Sequence, residues 1–201
     1  MFETLEVMLA GALLEYGITG REPERAGNRD PFLAPNECYK AKGDAEKWVT
    51  ITVANEQQWR ALCATMGQTS LADDSRFRTA QLRKRNEAEL NKLINDWTRN
   101  LDRWEATRIL QRAGVAAFPT LNNEDVATDP HLWARGFLLQ RDHPVVGRQT
   151  HAGIPWTMSG TPCNVRAAAP LLGADTDDVL TSMLGYSAQE LKQLREEGVI
   201  N

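Results

Sequence analysis

A chain of 201 residues is long enough for one large domain or two small ones with a true hydrophobic core. Its 42% hydrophobic and 25% charged content is ordinary for a soluble globular protein, and a net charge of −4 argues against a general nucleic-acid binder. Cys38, Cys63 and Cys163 are widely spaced and form neither a CxxC nor a zinc-type His/Cys cluster, which fits free thiols in a reducing compartment.

Residues 2–16 read as an amphipathic helix, with Phe2, Leu5, Leu9, Ala12, Leu13 and Tyr16 on one stripe and Gly17 as its closing glycine. The helix begins almost at Met1 without a capping residue, which suggests docking on a partner or a chain cut from something longer. The apolar run from Val7 to Leu14 is far shorter than the roughly 20 residues that span a bilayer. No basic n-region precedes it, so a cytoplasmic location with no membrane partner is expected. Residues 17–36, rich in Gly, Pro and charge, read as an extended linker.

Residues 35–53 read as a β-hairpin: a strand over Glu37 to Ala41, a turn through Gly43 and a second strand over Trp48 to Val53. Alternation puts Val49, Ile51 and Val53 on one face, for the following helices to cover. Asn55 caps the next helix, whose stripe is Trp59, Leu62, Cys63 and Met66, with Gly67 closing it. A short turn through Phe77 follows, then one helix from Gln81 to Trp97 and another from Trp104 to Ala113. Arg83-Lys84-Arg85, with Arg76 and Arg78 upstream, reads as a solvated helix face. Trp59, Trp97 and Trp104 lie on apolar helix faces and are assigned to the core.

Val115 to Phe118 is a short strand. Asp129-Pro130-His131 starts a brief helix that ends at Gly136. Strands are expected at Phe137 to Gln140, Gln149 to His151 and Ile154 to Trp156, with irregular chain over 158–173. Two helices finish the chain, from Asp175 to Leu184 and from Ser187 to Glu197, the second opened by a Ser187/Glu190 capping box. The sum is an α+β fold.

His131, His143 and His151 form no metal-ligand motif, and no GxSxG, P-loop or GxGxxG occurs. Ser159-Gly160-Thr161 offers backbone N–H groups to an anion, but such tripeptides are common. Asp175, Asp177 and Asp178 are explained by the positive end of a helix dipole. No self-contained active site and no metal site emerges from the residues.

The order of motifs carries more than any one of them. APNECYKAKGDAEKWVTITVANEQQWRAL, LADDSRFRTAQLRKRNEAEL, AGVAAFPTLNNEDVATDPHLWARGF, GIPWTMSGTP and APLLGADTDDVLTSMLGYSAQELKQLREEGVI follow one another. Together they resemble the C-terminal half of the family III CoA-transferases, which include formyl-CoA transferase, carnitine CoA-transferase and the 2-methylacyl-CoA racemases. The resemblance implies a connecting helix over residues 1–20 and a small α+β domain over 21–120. It also implies a segment over 121–201 that completes a Rossmann-like large domain, and subunits interlocked as a dimer. Met1 would then match an internal position of a full-length enzyme.

The implied chemistry moves CoA between two carboxylic acids. A carboxylate of the large domain attacks the CoA thioester, so the acyl group is held on the enzyme. The coenzyme A thioester is a substrate, and no covalently bound cofactor is implied. The nucleophilic Asp lies N-terminal to this chain, so no catalytic residue is carried over. The loop that faces the active site in such transferases corresponds here to Phe32-Leu33-Ala34-Pro35-Asn36-Glu37, and Pro35, Asn36 and Glu37 are the substrate-loop candidates. The formyl-CoA enzyme has a run of glycines there, and this departure argues against formyl-CoA as the substrate. The implied partner is an N-terminal half or a second copy of the chain. The alternatives are a non-catalytic interaction module that retains the fold, using the Phe2/Leu5/Leu9 face, and the C-terminal half of an acyl-CoA racemase, which would exchange an α-proton instead.

Overall fold

The computed structural model of the protein describes residues 2–44 and 46–200. Met1 as the expected helix start, the Phe2 side chain in the expected stripe and Ala45 in the hairpin turn lie outside the described residues. The chain forms two compact units, 1–120 and 121–201.

In the first unit, α1 (Phe2–Met8) and α2 (Ala10–Thr19) replace the single expected helix. Leu9 tightens the join by donating its N–H to Glu6 O, three residues back, at 2.9 Å. Gly17 does not close the helix. Thr19 Oγ1 back-bonds to Glu15 O, and the chain stays helical until Gly20, which takes the left-handed conformation at φ 67°. No described side chain of α2 is buried.

Three antiparallel strands form the sheet, in the order β1 (Asn36–Lys40), β2 (Trp48–Thr52) and β3 (Ala116–Pro119). Tyr39 faces Val49 across β1 and β2, and Ile51 faces Ala117 across β2 and β3. The alternation read from WVTITV holds, with Val49, Ile51 and Val53 buried and Trp48 partly exposed. Gly43, at φ 122°, makes the hairpin turn in a conformation that a side chain would resist.

Five helical segments cover the sheet's apolar face. These are α3 (Glu56–Thr65), a 3₁₀ turn (Thr69–Ala72), α4 (Ala80–Arg85), α5 (Glu87–Thr98) and α6 (Arg103–Arg112). Asn55 caps α3 by accepting from Gln58 N at 2.9 Å, and Trp59, Leu62 and Cys63 pack inward. Fully burying each large apolar side chain contributes about 1.5–3 kcal/mol. The expected helix over 81–97 is broken at Asn86. Its Nδ2 donates to Leu82 O and Arg76 O, offering the backbone a partner that competes with helix continuation. Leu90 and Ile94 of α5 are core, Trp97 packs half-buried against it, and Trp104 is half-buried beside Arg103.

The second unit begins with α7 (Asn123–Thr128), opened by an Asn122/Asp125 capping box that sequence reading passed over. Asp129 caps α8 (Pro130–Ala134), with Pro130 in the first turn as expected. β4 (Leu138–His143) and β5 (Gly147–Ala152) form an antiparallel hairpin. Ile154 to Trp156 is not a strand. Pro155 has no N–H to give a ladder, and its carbonyl is taken by Arg135 at 2.8 Å. The expected helix from Asp175 to Leu184 is only α9 (Thr176–Asp178) followed by a π-helical turn (Val179–Met183). There the Leu184 N–H reaches back five residues to Val179 O at 3.3 Å, the wider π spacing. Ser187 and Glu190 cap α10 (Ala188–Glu196) as read. The fold is α+β throughout. No helix among the described residues is long and apolar enough to cross a membrane.

Candidate functional site

The entry to β1 receives polar contacts from several distant parts of the first unit. Arg83, on α4, is 1% exposed and lies against this entry rather than in solvent. Its Nε donates to Ala34 O at 2.9 Å, and one terminal nitrogen donates to Phe77 O at 3.2 Å. Both terminal nitrogens fork onto the Glu56 carboxylate, at 2.9 and 3.0 Å. The guanidinium carbon lies 5.0 Å from the centroid of the Trp59 ring. The expected solvated basic face is therefore corrected at Arg83. Apolar walls from Trp59 and Phe77 exclude water there, and only a planar fork with several acceptors tolerates that. Lys84 pairs with Glu87 at 2.8 Å, and Arg76 pairs with Asp74 and Glu89.

The Glu56 side chain is 53% exposed, so the pair joins one buried cation to one half-hydrated anion. Hydrogen bonds from Arg83 hold the Glu56 carboxyl below its ordinary pKa.

Ala34 and Pro35 are buried, joined by a cis peptide bond, and Pro35 O accepts from Val53 N at 2.9 Å. Asn36 and Glu37 are not loop residues but the first two residues of β1. The cross-strand register starts at Asn36, opposite Thr52, one residue earlier than the sequence pattern indicates. The Asn36 amide bridges two segments. Its nitrogen donates to Asn28 O and its oxygen accepts from Thr52 Oγ1, both at 2.7 Å. Glu37 Oε1 accepts from Asn28 Nδ2 at 2.7 Å and from Cys38 N at 2.8 Å. Pro35, Asn36 and Glu37 thus stand together, and Asn28 joins two of them.

Asp30 shapes the preceding loop by accepting from the backbone N–H groups of Phe32 and Leu33 at 2.7 and 2.8 Å. These bonds, the Phe32 one foremost, hold its carboxyl below the ordinary value. They leave Phe32 at the loop tip, 80% exposed. Burial, aided by the Glu37 charge, pushes the Cys38 thiol up, away from the nucleophilic thiolate. The core Cys63 thiol is pushed up to about 12 by burial. What this entry offers chemically is an exposed aromatic ring, an amide and a carboxylate held in register, which suits recognition of a ligand rather than attack upon it.

The remaining sequence candidates lie elsewhere. His131 is exposed on α8, and His143 turns its Nδ1 to the N–H groups of Val145 and Val146. Ser159-Gly160-Thr161 lies on an exposed irregular segment. Asp177 pairs with Arg195. Among the described residues no group of three His, Cys, Asp or Glu side chains could hold a metal ion. Sequence reading missed Arg83 and Asn28. Neither has a local signature, because their partners are set by the fold.

Comparison with known proteins bears on the chain as a whole. A family described as CoA-transferase family III matches residues 1–176. A succinyl-CoA–D-citramalate CoA-transferase of Chloroflexus aurantiacus is 30% identical, over 100% of this chain and 49% of that protein. A formyl-CoA:oxalate CoA-transferase of Rhodopseudomonas palustris is 29% identical over 94% of this chain and 46% of its own length. The crystal structure of a CAIB/BAIF family protein from Brucella suis matches with a TM-score of 0.74 at 26% identity, covering 87% of this chain and 44% of that one. The chain spans about half the length of the curated relatives it matches. On its sequence and its fold together, the chain belongs to CoA-transferase family III.

Proposed function

We propose that this chain is the C-terminal portion of a CoA-transferase that moves CoA between carboxylic acids. In this reading an Asp on an N-terminal half attacks the carbonyl of a CoA thioester. CoA leaves as the thiolate, giving a mixed anhydride of the Asp and the donor acyl group. The thiolate then attacks the Asp carbonyl, releasing the donor acid and leaving CoA on the Asp. An acceptor carboxylate runs the two steps in reverse to leave as its CoA thioester. The observation that carries the reading is the match to CoA-transferases over 94–100% of this chain but under half of their length. The relatives named above are transferases, which favours that branch over the racemase alternative.

Within this reading residues 1–20 are a connecting helical segment, 21–120 a small domain and 121–201 a segment that packs on a large domain. The proposed partner is an N-terminal half or a second copy of the chain, in the cytoplasm, with acyl-CoA and a carboxylic acid as substrates and no covalent cofactor. Pro35, Asn36 and Glu37 form a wall of the acid site, and Arg83 fixes that wall from behind. Exposed Leu5, Leu9, Leu13 and Leu14 support a docking role for the N-terminal helices. The same exposure favours the second reading, an interaction module without catalysis.

Co-expression with an N-terminal family half carrying the nucleophilic Asp separates the two. Transfer of CoA from succinyl-CoA to an acceptor acid supports the transferase reading. A stable complex without transfer supports the module, and absence of both complex and transfer refutes the partner-dependent readings.

A further inference from the structure

We propose that the second unit carries a binding site for a small oxyanion, a phosphate or carboxylate on a body with an apolar flank. The site is the hollow between β4 and the 154–165 segment. Its volume is about 390 Å³, within the range of small-molecule pockets. Arg135, Arg141, Trp156, Met158, Cys163 and Asn164 line it, and no acidic side chain lines it among the described residues.

Arg141 carries the argument. One of its terminal nitrogens donates to Gln140 O at 2.8 Å and the other to Val165 O, which fixes the guanidinium against the wall. Each terminal nitrogen carries a second N–H beyond its wall contact, and a guanidinium forms its short, charge-assisted bonds best to an oxyanion.

Arg135 strengthens the case. It stands at the end of α8, where one of its terminal nitrogens holds Pro155 O at 2.8 Å, bringing a second positive charge to the rim. The acidic residue next along β4, Asp142, points to the opposite strand face and is paired with Arg148 at 2.8 and 3.0 Å. The positive charge in the hollow is therefore not cancelled from its own hairpin. Trp156, 61% exposed, and Met158 give the apolar flank on which a ligand body can rest.

The test is isothermal titration of the full chain with sodium phosphate and, separately, with succinate, each against sodium chloride of equal ionic strength. Saturable binding of either anion is expected, and the arm that binds identifies the group. Arg141→Gln should weaken it by about tenfold or more. Arg148→Gln, which removes the same charge from the outer face of the hairpin, should leave it unchanged. Circular dichroism checks that each variant is folded. If Arg141→Gln does not fold, Arg135→Gln decides, since its exposed side chain is dispensable to the hairpin. Failure of the wild-type chain to bind either anion overturns the proposal. So does a loss in Arg148→Gln equal to that in the pocket variant, which would mark a general charge effect. The outcome does not depend on CoA transfer, so the two proposals fail separately.

Discussion

Arg83 Nε and the carbonyl oxygen of Ala34 meet at 2.9 Å, joining α4 to the residue before Pro35 across 49 positions of chain. The bond is made by a charged donor in a water-poor setting, where hydrogen bonds are stronger than in solvent. Glu56 balances the charge from one side and Trp59 from another, so the entry to β1 is anchored by the core itself. A loop that walls a ligand site gains from such an anchor, because a group held in place is not ordered again on binding.

Replacing Arg83 tests the anchor. Arg83→Ala leaves the Ala34 and Phe77 carbonyls without their donor and opens a void over Trp59. Glu56, half exposed, simply rehydrates. The expected loss is about 2–4 kcal/mol in urea unfolding. Arg83→Lys keeps the charge but not the fork, and should fall between wild type and alanine. A loss below about 1 kcal/mol in the alanine variant would make the contact incidental.

The same pair predicts a pH dependence. The folded Glu56 carboxyl lies below its ordinary value of 4.5, so its stabilising effect is complete above that pH. It fades as pH falls through the lower, folded value. Solvent screening of the exposed carboxylate keeps the effect under about 1 kcal/mol. Urea midpoints of wild type and Glu56→Gln, compared at pH 7 and pH 3.5, should converge at the lower pH. A constant gap between them would remove Glu56 from the acid response.

Asn36 and Glu37 are predicted to serve both the fold and the site. Asn36→Ala deletes two hydrogen bonds and should cost about 1–2 kcal/mol, with faster amide exchange over 26–33, the segment that Asn28 ties down. Glu37→Ala should cost less, since among the described residues Glu37 bonds only Asn28 and its own neighbour. In a reconstituted enzyme both should change turnover or acid selectivity. Unchanged kinetics in both would confine them to structure.

Gly153 is predicted to be irreplaceable. A Cβ there would meet Phe137 O at 2.9 Å and Leu139 Cδ2 at 3.1 Å. The carbonyl cannot withdraw easily, because it accepts from Gly153 N. Gly153→Ala should destabilise the β4–β5 hairpin by about 1–3 kcal/mol, read as faster hydrogen exchange over 138–152. Unaltered exchange would show that the close approach relaxes freely.

The apolar helix face makes the last prediction. Leu9→Glu with Leu13→Glu should lower binding of a hydrophobic dye to the isolated chain and abolish capture by an N-terminal half. Neither side chain is buried, so the far-UV spectrum should not change. Capture that survives the double substitution would move docking to another surface.

What the sequence determined by itself is local or periodic. The caps at Asn55, Asp129 and Ser187 are legible because each cap bond spans three residues. The buried face of WVTITV is legible because side chains alternate along a strand. The family is legible because its motifs recur in order. Tertiary structure decided what depends on partners far away in the chain. Thr50 lies opposite Phe118, and nothing near either residue announces the pairing. Asn86 splits a helix because Arg76 O is within its reach. At the site, Pro35, Asn36 and Glu37 could be singled out in advance, but their attachment to Asn28 and their anchoring through Arg83 could not. An arginine in a basic run looks solvated until the fold supplies, from residues 34, 56 and 77, the acceptors that let it be buried. Burying a charge is a property of the surroundings, and only the folded chain has surroundings.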